Sequence, residues 1–190
     1  MRGIRFIEVK NVDIFRAVWK CYEDYKPRLT LLPASLGGNY HPPDEREVGG
    51  LIKHIERMCW FILKYAEEFK ISDDDFDILM ASAFFHDIGS VDITKVDLQV
   101  EIVDNKVIRK HVISRDQNLA LKHPLISADI AKQYLDREKV SQKIIDLICN
   151  IIKSHMAHWY PNLPLPQTEL ERIFAFCDYL MSREEMTCQI

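Results

Sequence analysis

The 190-residue chain reads as an all-α domain, a helical bundle carrying one small β-hairpin insertion around residues 98–113. Three observations predict this. Apolar residues recur at three-to-four spacing in one segment after another, which places them on one face of a helix. Branched residues flank a turn-type dipeptide at one place, in QVEIV, DN and KVIRKHVI, which is a hairpin pattern. Finally, 47% of the residues are apolar, enough for a core. No stretch reaches the roughly 20 uncharged residues of a membrane span.

The opening MRGIRFIEVKNVD mixes charges too early for a secretory signal, so a cytoplasmic protein is expected. Residues 11–26 form a short amphipathic helix with Ile14, Val18 and Cys21 or Tyr22 on one side. From Lys26 to Glu45 the chain carries Pro27, Pro33, Gly37, Gly38, Pro42 and Pro43 and reads as a long loop, the kind that often has a functional role. A helix follows over Val48–Phe69, with Leu51, Ile55, Met58, Ile62 and Tyr65 in line. The next starts at Ser72, with Asp75 at the capping-box position, and ends at Gly89 as terminator. Its stripe is Phe76, Leu79 and Ala83, continued by His86–Asp87.

After the hairpin, proline suits the first helical turn at His123–Pro124. A longer helix spans about Arg137 to His158, with Ile144, Ile148, Ile151 or Ile152 and His155 aligned. WYPNLPLPQ is a second proline-rich loop, and the last helix opens with Thr168 capped against Glu171 and carries Leu170, Phe174, Cys177, Asp178 and Met181. No repeat or linker divides the chain. One domain over 1–190 is expected, with an N-terminal helix and loop over 1–47 and a core over 48–182.

The charge balance excludes some functions. With 25 basic and 29 acidic residues and no basic run, the footprint of a dedicated nucleic-acid binder is missing. A small anionic substrate, or a short nucleic acid, remains compatible, and no membrane partner is expected. The cysteines Cys21, Cys59, Cys149, Cys177 and Cys188 form no CxxC and sit mostly in apolar helical patterns, as buried thiols of a reducing compartment. The sequence carries no signal for oligomeric state.

The chemistry lies in polar residues on apolar faces. His54, His86 with Asp87, His155 and Asp178 all continue stripes that face the core. A charge buried without a partner costs several kcal/mol, so such residues are paired, hydrogen-bonded or metal-bound. One such histidine alone is more often a satisfied core residue. Four helices each sending a His or Asp inward favour a shared partner. Imidazole and carboxylate without thiolate suit one or two divalent transition ions, Mn, Fe, Co, Ni or Zn. Two such ions with a bridging carboxylate suit phosphoester hydrolysis.

His54, then His86–Asp87 in FFHDIG, then Asp178 in FCDYL resemble the H…HD…D signature of the HD-domain metal-dependent phosphohydrolases. The resemblance spans about residues 48–182 and implies that His54, His86, Asp87 and Asp178 bind one metal. Some members carry two further histidines and a second metal. His123, in KHPLISADIA, and His155, in IIKSHM, sit where those are expected, and Asp87 would then bridge. A helix-cap role is the competing reading for His123. LPASLGGNYHPPDEREVGGLIKHIERM is also similar to a stretch of HD-domain 3′-to-5′ exoribonucleases.

The resemblance implies hydrolysis of a phosphorylated substrate, a nucleotide, oligonucleotide or nucleic-acid 3′ end, by metal-activated water, with His86 and Asp87 at its centre. Candidates for substrate contact are His41 in the long loop, Lys53 and Arg57 beside His54, and Lys153 and His158 near His155. Trp159 and Tyr160 offer stacking on a base, although aromatic residues after a helix more often pack. Ser90, where many relatives have lysine, and Met156, where several have a second histidine, favour the alternative: a weak or inactive nucleotide-binding module with regulatory function.

Overall fold

The computed structural model describes residues 8–36, 41–104 and 106–183, the side chain of Gln117 excepted. Gly37, Gly38, Asn105 and Cys188, named above, lie outside the described residues. The chain is mostly helical with one two-stranded antiparallel sheet, so it is not purely all-α.

Helix α1 spans Val12–Leu29 and starts on Asn11, whose Oδ1 accepts from the N–H groups of Asp13 and Ile14. It runs three residues past its expected end, with Pro27 inside it. Near a C-terminus a proline costs one backbone bond. Full burial of Leu29 and the contacts of Arg28 with Val91 O and Asp92 offset that loss. A single 3-10 turn, Pro43–Glu45, interrupts the following loop. Helix α2 is Gly50–Tyr65, shorter than expected at both ends, and the chain turns over 66–70 before α3, Asp73–Phe85. As expected, Ser72 caps α3, its Oγ accepting from Asp75 N at 3.2 Å. Helix α3 is buried from Asp77 to Phe85 and packs against α1, α2, α6, α7 and α8. It is the central helix, which explains why its apolar character extends around the cylinder.

Gly89 does not terminate a helix by a left-handed backbone. After a turn at 86–88 the chain continues into a short helix, α4, Gly89–Asp92. The glycine is needed for close approach. A Cβ there would lie 2.7 Å from both His123 O and Ser127 N, and the Gly89 N–H donates to Ser127 Oγ at 2.9 Å. Gly50 has the same role at the start of α2, where a Cβ would lie 1.9 Å from Glu45 O.

The hairpin is longer than predicted: β1, Thr94–Val103, pairs with β2, Lys106–Arg115, in a register that joins Thr94 to Arg115 and Val103 to Lys106. Asp104, with φ +49°, supplies the left-handed turn residue. Only its base packs on the core, through Val96 and Ile113; Leu98, Val100, Ile102 and Val107 are exposed.

A short helix α5, Gln117–Ala120, leads into α6, His123–Arg137, which packs along α7, Gln142–Ser154. Helix α7 ends before His155, and residues 155–159 form turns rather than the expected helix to His158. Helix α8, Glu169–Met181, starts on Thr168, whose Oγ1 accepts from Glu171 N at 3.2 Å. Cys21, Cys59, Cys149 and Cys177 are free and buried. No helix among the described residues is long and apolar enough to cross a membrane.

Candidate metal centre

His54 comes from α2, His86 and Asp87 from the turn after α3, His123 from the first position of α6, His155 from the end of α7 and Asp178 from α8. All six are buried. His86, His123 and His155 share one local geometry: each Nδ1 meets the carbonyl three residues earlier, Ala83 O at 2.9 Å, Ala120 O at 2.7 Å and Ile152 O at 2.6 Å. Three different helix or turn ends supply these acceptors, where carbonyls are free of regular helical partners. A proton held on Nδ1 leaves the Nε2 lone pair free to face inward.

The inward atoms form two sets that share Asp87. His54 Nε2 lies 3.2 Å from His86 Nε2 and 3.1 Å from Asp178 Oδ1, while Asp87 Oδ2 is 3.6 Å from His86 Nε2. On the other side, Asp87 Oδ1 is 3.0 Å from His123 Nε2 and 3.8 Å from His155 Nε2. His54, His86 and Asp87, and likewise Asp87, His123 and His155, each bring ligand atoms within 4.8 Å of one another. The two oxygens of Asp87 thus face different histidine sets, the arrangement a bridging carboxylate needs.

The electrostatics call for a cation. Burial alone would raise the carboxyl groups, but His86 and His123 hold Asp87 well below its usual range, and the His54 hydrogen bond with His86 and His155 does the same for Asp178. Both are therefore charged. Burial pushes His155 down to about 4 and also lowers His86, so both rings give up a proton more readily than a free imidazole. Burial would lower His54 too, but Asp178 and Glu45 outweigh it and raise the ring to about 10. His123 Nε2 is enclosed, with Asp87 Oδ1 at 3.0 Å. Imidazole nitrogens turned inward beside two ionised carboxylates fit one or two divalent ions, and the thiolate-free donors suit Mn, Fe, Co, Ni or Zn.

Behind His54 lies Glu45, which the sequence reading missed. Its Oε2 is 3.3 Å from His54 Nδ1 and 2.8 Å from His41 Nδ1, and its Oε1 is 2.9 Å from an Arg57 Nη. Burial would raise this carboxyl, yet the two histidines and Arg57 bring it down to about 2. His41, Glu45 and His54 also lie close enough to resemble a ligand group. The guanidinium of Arg57 already neutralises Glu45, which makes it an orienting carboxylate behind His54. The i,i+4 spacing of His41 and Glu45 was the available signal.

The centre opens into a cavity of about 480 Å³. Its lining includes His41, as the sequence suggested, and Ser90, Arg115, Trp159 and Arg183. The other candidate contacts do not line it. Lys53 is exposed and bonds Asp44 O at 3.1 Å; Arg57 pairs with Glu45; Lys153 is half-buried on α7; His158 is exposed with its ring edge-on to Trp159. Trp159 stacks on Tyr179 at 5.8 Å between centroids, so one of its faces is already covered. Arg183 lies over the Tyr179 ring at 4.3 Å. Helical periodicity gives no signal for Arg115, which sits on the hairpin.

A family model described as HD domain matches residues 51–182, from the second residue of α2 to just past the end of α8. The searches among curated proteins and solved structures found no match.

Proposed function

Since the chain belongs to the HD-domain superfamily of metal-dependent phosphohydrolases, we propose that it hydrolyses a phosphomonoester or phosphodiester of a nucleotide, an oligonucleotide or a nucleic-acid 3′ end. The observation that carries this reading is the pair of histidine–carboxylate sets joined through Asp87 on the wall of an open cavity. His54, His86, Asp87 and Asp178 would hold one divalent ion, and Asp87, His123 and His155 a second. When bound, such ions activate a water and draw charge from the phosphoryl oxygens.

The chain's own residues prepare that chemistry. The carbonyls of Ala83, Ala120 and Ile152 fix three imidazoles in one tautomer, and Glu45 fixes His54 through Nδ1. Asp87 and Asp178 stay ionised in a buried site, which preserves their affinity for a cation. His41, His54 and Arg57 together keep Glu45 charged, and the carboxylate orients both imidazoles. The cavity's size suits a small phosphorylated ligand. The negative net charge also favours a nucleotide or short oligonucleotide over long nucleic acid.

The test is purified protein loaded with Mn²⁺, Co²⁺ or Ni²⁺ against nucleotides and phosphomonoester and phosphodiester model substrates, with Asp87→Asn as control. Turnover that disappears in Asp87→Asn together with bound metal is the expected result. No turnover with any ion or substrate class would refute the enzyme reading. Ser90, a neutral buried hydroxyl on the cavity wall, favours the second reading, a nucleotide-binding module with regulatory function. Tight nucleotide binding by the wild type without turnover would select it.

A further inference from the structure

Arg115 is the last residue of β2, and its partner across the ladder is Thr94, the first residue of β1. Arg115 is among the residues that line the cavity together with Asp87, His123 and His155. The Nε–H donates to Thr94 Oγ1 at 2.9 Å, and the buried Thr94 hydroxyl donates in turn to Ser90 O at 2.6 Å. This relay ties the base of the hairpin to α4, three residues after Asp87. Arg28 of α1 holds the same corner by donating to Val91 O and Thr94 O. The guanidinium is therefore anchored at one end.

Its other end is not satisfied. Nη2 is enclosed, meets no hydrogen-bond acceptor among the described residues, and no carboxylate there comes within ion-pair distance of Arg115. An enclosed charged donor without a partner is costly, and such groups in folded proteins are nearly always matched by something. The planar fork of arginine fits the oxygens of a phosphoryl group two at a time. Lys53, Arg57, Lys153 and His158 lie off the cavity, so none of them can serve in its place.

We propose that Arg115 receives the non-bridging oxygens of a phosphoryl group seated beside Asp87, His123 and His155, with Thr94 as its positioning residue. The hairpin is then part of the site, adding a cation next to Asp87, His123 and His155, whereas the cavity's other guanidinium, Arg183, lies over the Tyr179 ring. The ligand class is a phosphomonoester or phosphodiester. This inference rests on the phosphohydrolase reading above, which it extends to a named ligand contact.

The test is calorimetric titration of inorganic phosphate into the Mn²⁺-loaded 190-residue chain, comparing wild type with Arg115→Gln, Arg115→Lys and Thr94→Val, with bound metal and thermal midpoint measured on each. Losing a charge-assisted contact predicts phosphate binding about ten- to a hundredfold weaker in Arg115→Gln. Metal content should not change. Arg115→Lys should recover part of the affinity, and Thr94→Val should lose part of it while keeping the charge. The inference is overturned if Arg115→Gln binds phosphate as the wild type does, if the wild type binds none, or if Arg115→Gln loses metal in parallel. Arg115-dependent phosphate binding without hydrolysis would remove the enzyme reading and leave this one standing. Hydrolysis with Arg115-independent phosphate binding would do the reverse.

Discussion

Gly89→Ala tests how the two histidine sets are brought together. In an open helical position this change stabilises by about 0.5–1 kcal/mol, since alanine loses less backbone entropy. Here the new methyl would sit 2.7 Å from His123 O and Ser127 N and 2.9 Å from Ser127 Oγ. Two of those atoms are backbone, so α4 and the start of α6 must separate by several tenths of an ångström. Overpacking costs about 1–3 kcal/mol, and two backbone clashes place this site in the upper part, about 2–3 kcal/mol, which leaves a net loss of about 1–2 kcal/mol after a gain of about 1 kcal/mol. For a chain of this length that is a fall in thermal midpoint of about 2–8 °C. The displaced element carries His123, whose Nε2 is 3.0 Å from Asp87 Oδ1. Bound metal should therefore fall selectively, by the share that Asp87, His123 and His155 hold, while the His54 set keeps its ion. The assay is thermal unfolding by circular dichroism with metal stoichiometry by elemental analysis. An unchanged or higher midpoint with full metal content would refute the close-packing argument.

Two further outcomes follow from the same geometry. Glu45→Gln removes the carboxylate behind His54 Nδ1 and should weaken metal binding by about 10- to 100-fold, read by chelator competition; unchanged affinity would show that Glu45 does not orient the ligand. The metal-free protein should lose stability on both sides of neutrality, measured by urea unfolding across pH. His155, lowered from 6.5 to about 4, contributes stability above 6.5 that is lost as pH falls toward 4. Glu45, lowered from 4.5 to about 2, contributes stability that is lost below 4.5. His54 has the opposite sign: its folded value is raised from 6.5 to about 10, so its contribution is full below 6.5 and lost as pH rises toward 10. A bound ion displaces that proton, so metal loading should flatten the alkaline limb. An alkaline limb identical with and without metal would contradict this assignment.

Most residues of the candidate centre were legible because they sit on strong local patterns, whereas His123 was placed by the family resemblance alone. His54 follows Leu51 by three residues, His86 continues Phe76, Leu79 and Ala83, His155 follows Ile148 and Ile151, and Asp178 follows Phe174. A helix carries everything on its apolar stripe toward the core, so inward polarity can be read in one dimension. The caps at Ser72 and Thr168 were legible for the same reason, since an N-cap bond spans three residues.

Contacts between elements distant in sequence were not legible. Nothing local marks Gly89 as the point where α4 meets α6, 38 residues on at Ser127, so it resembled a helix terminator. Lys53 and Arg57 looked available for substrate until the 3-10 turn placed Asp44 and Glu45 against them. Pro27 looked like a loop residue, but burial of Leu29 outweighs one missing bond. By itself the sequence determined the helical bundle with its hairpin, and which side chains turn inward, because periodicity and capping act within a few residues. Two sets bridged by Asp87 were implied only by the family resemblance; the tertiary structure brought those groups together, set Glu45 behind His54 and put Arg115 on the cavity wall. Those placements depend on how α2, α3, α6, α7 and α8 pack, and close approach between such elements is set by volume and charge across the whole core.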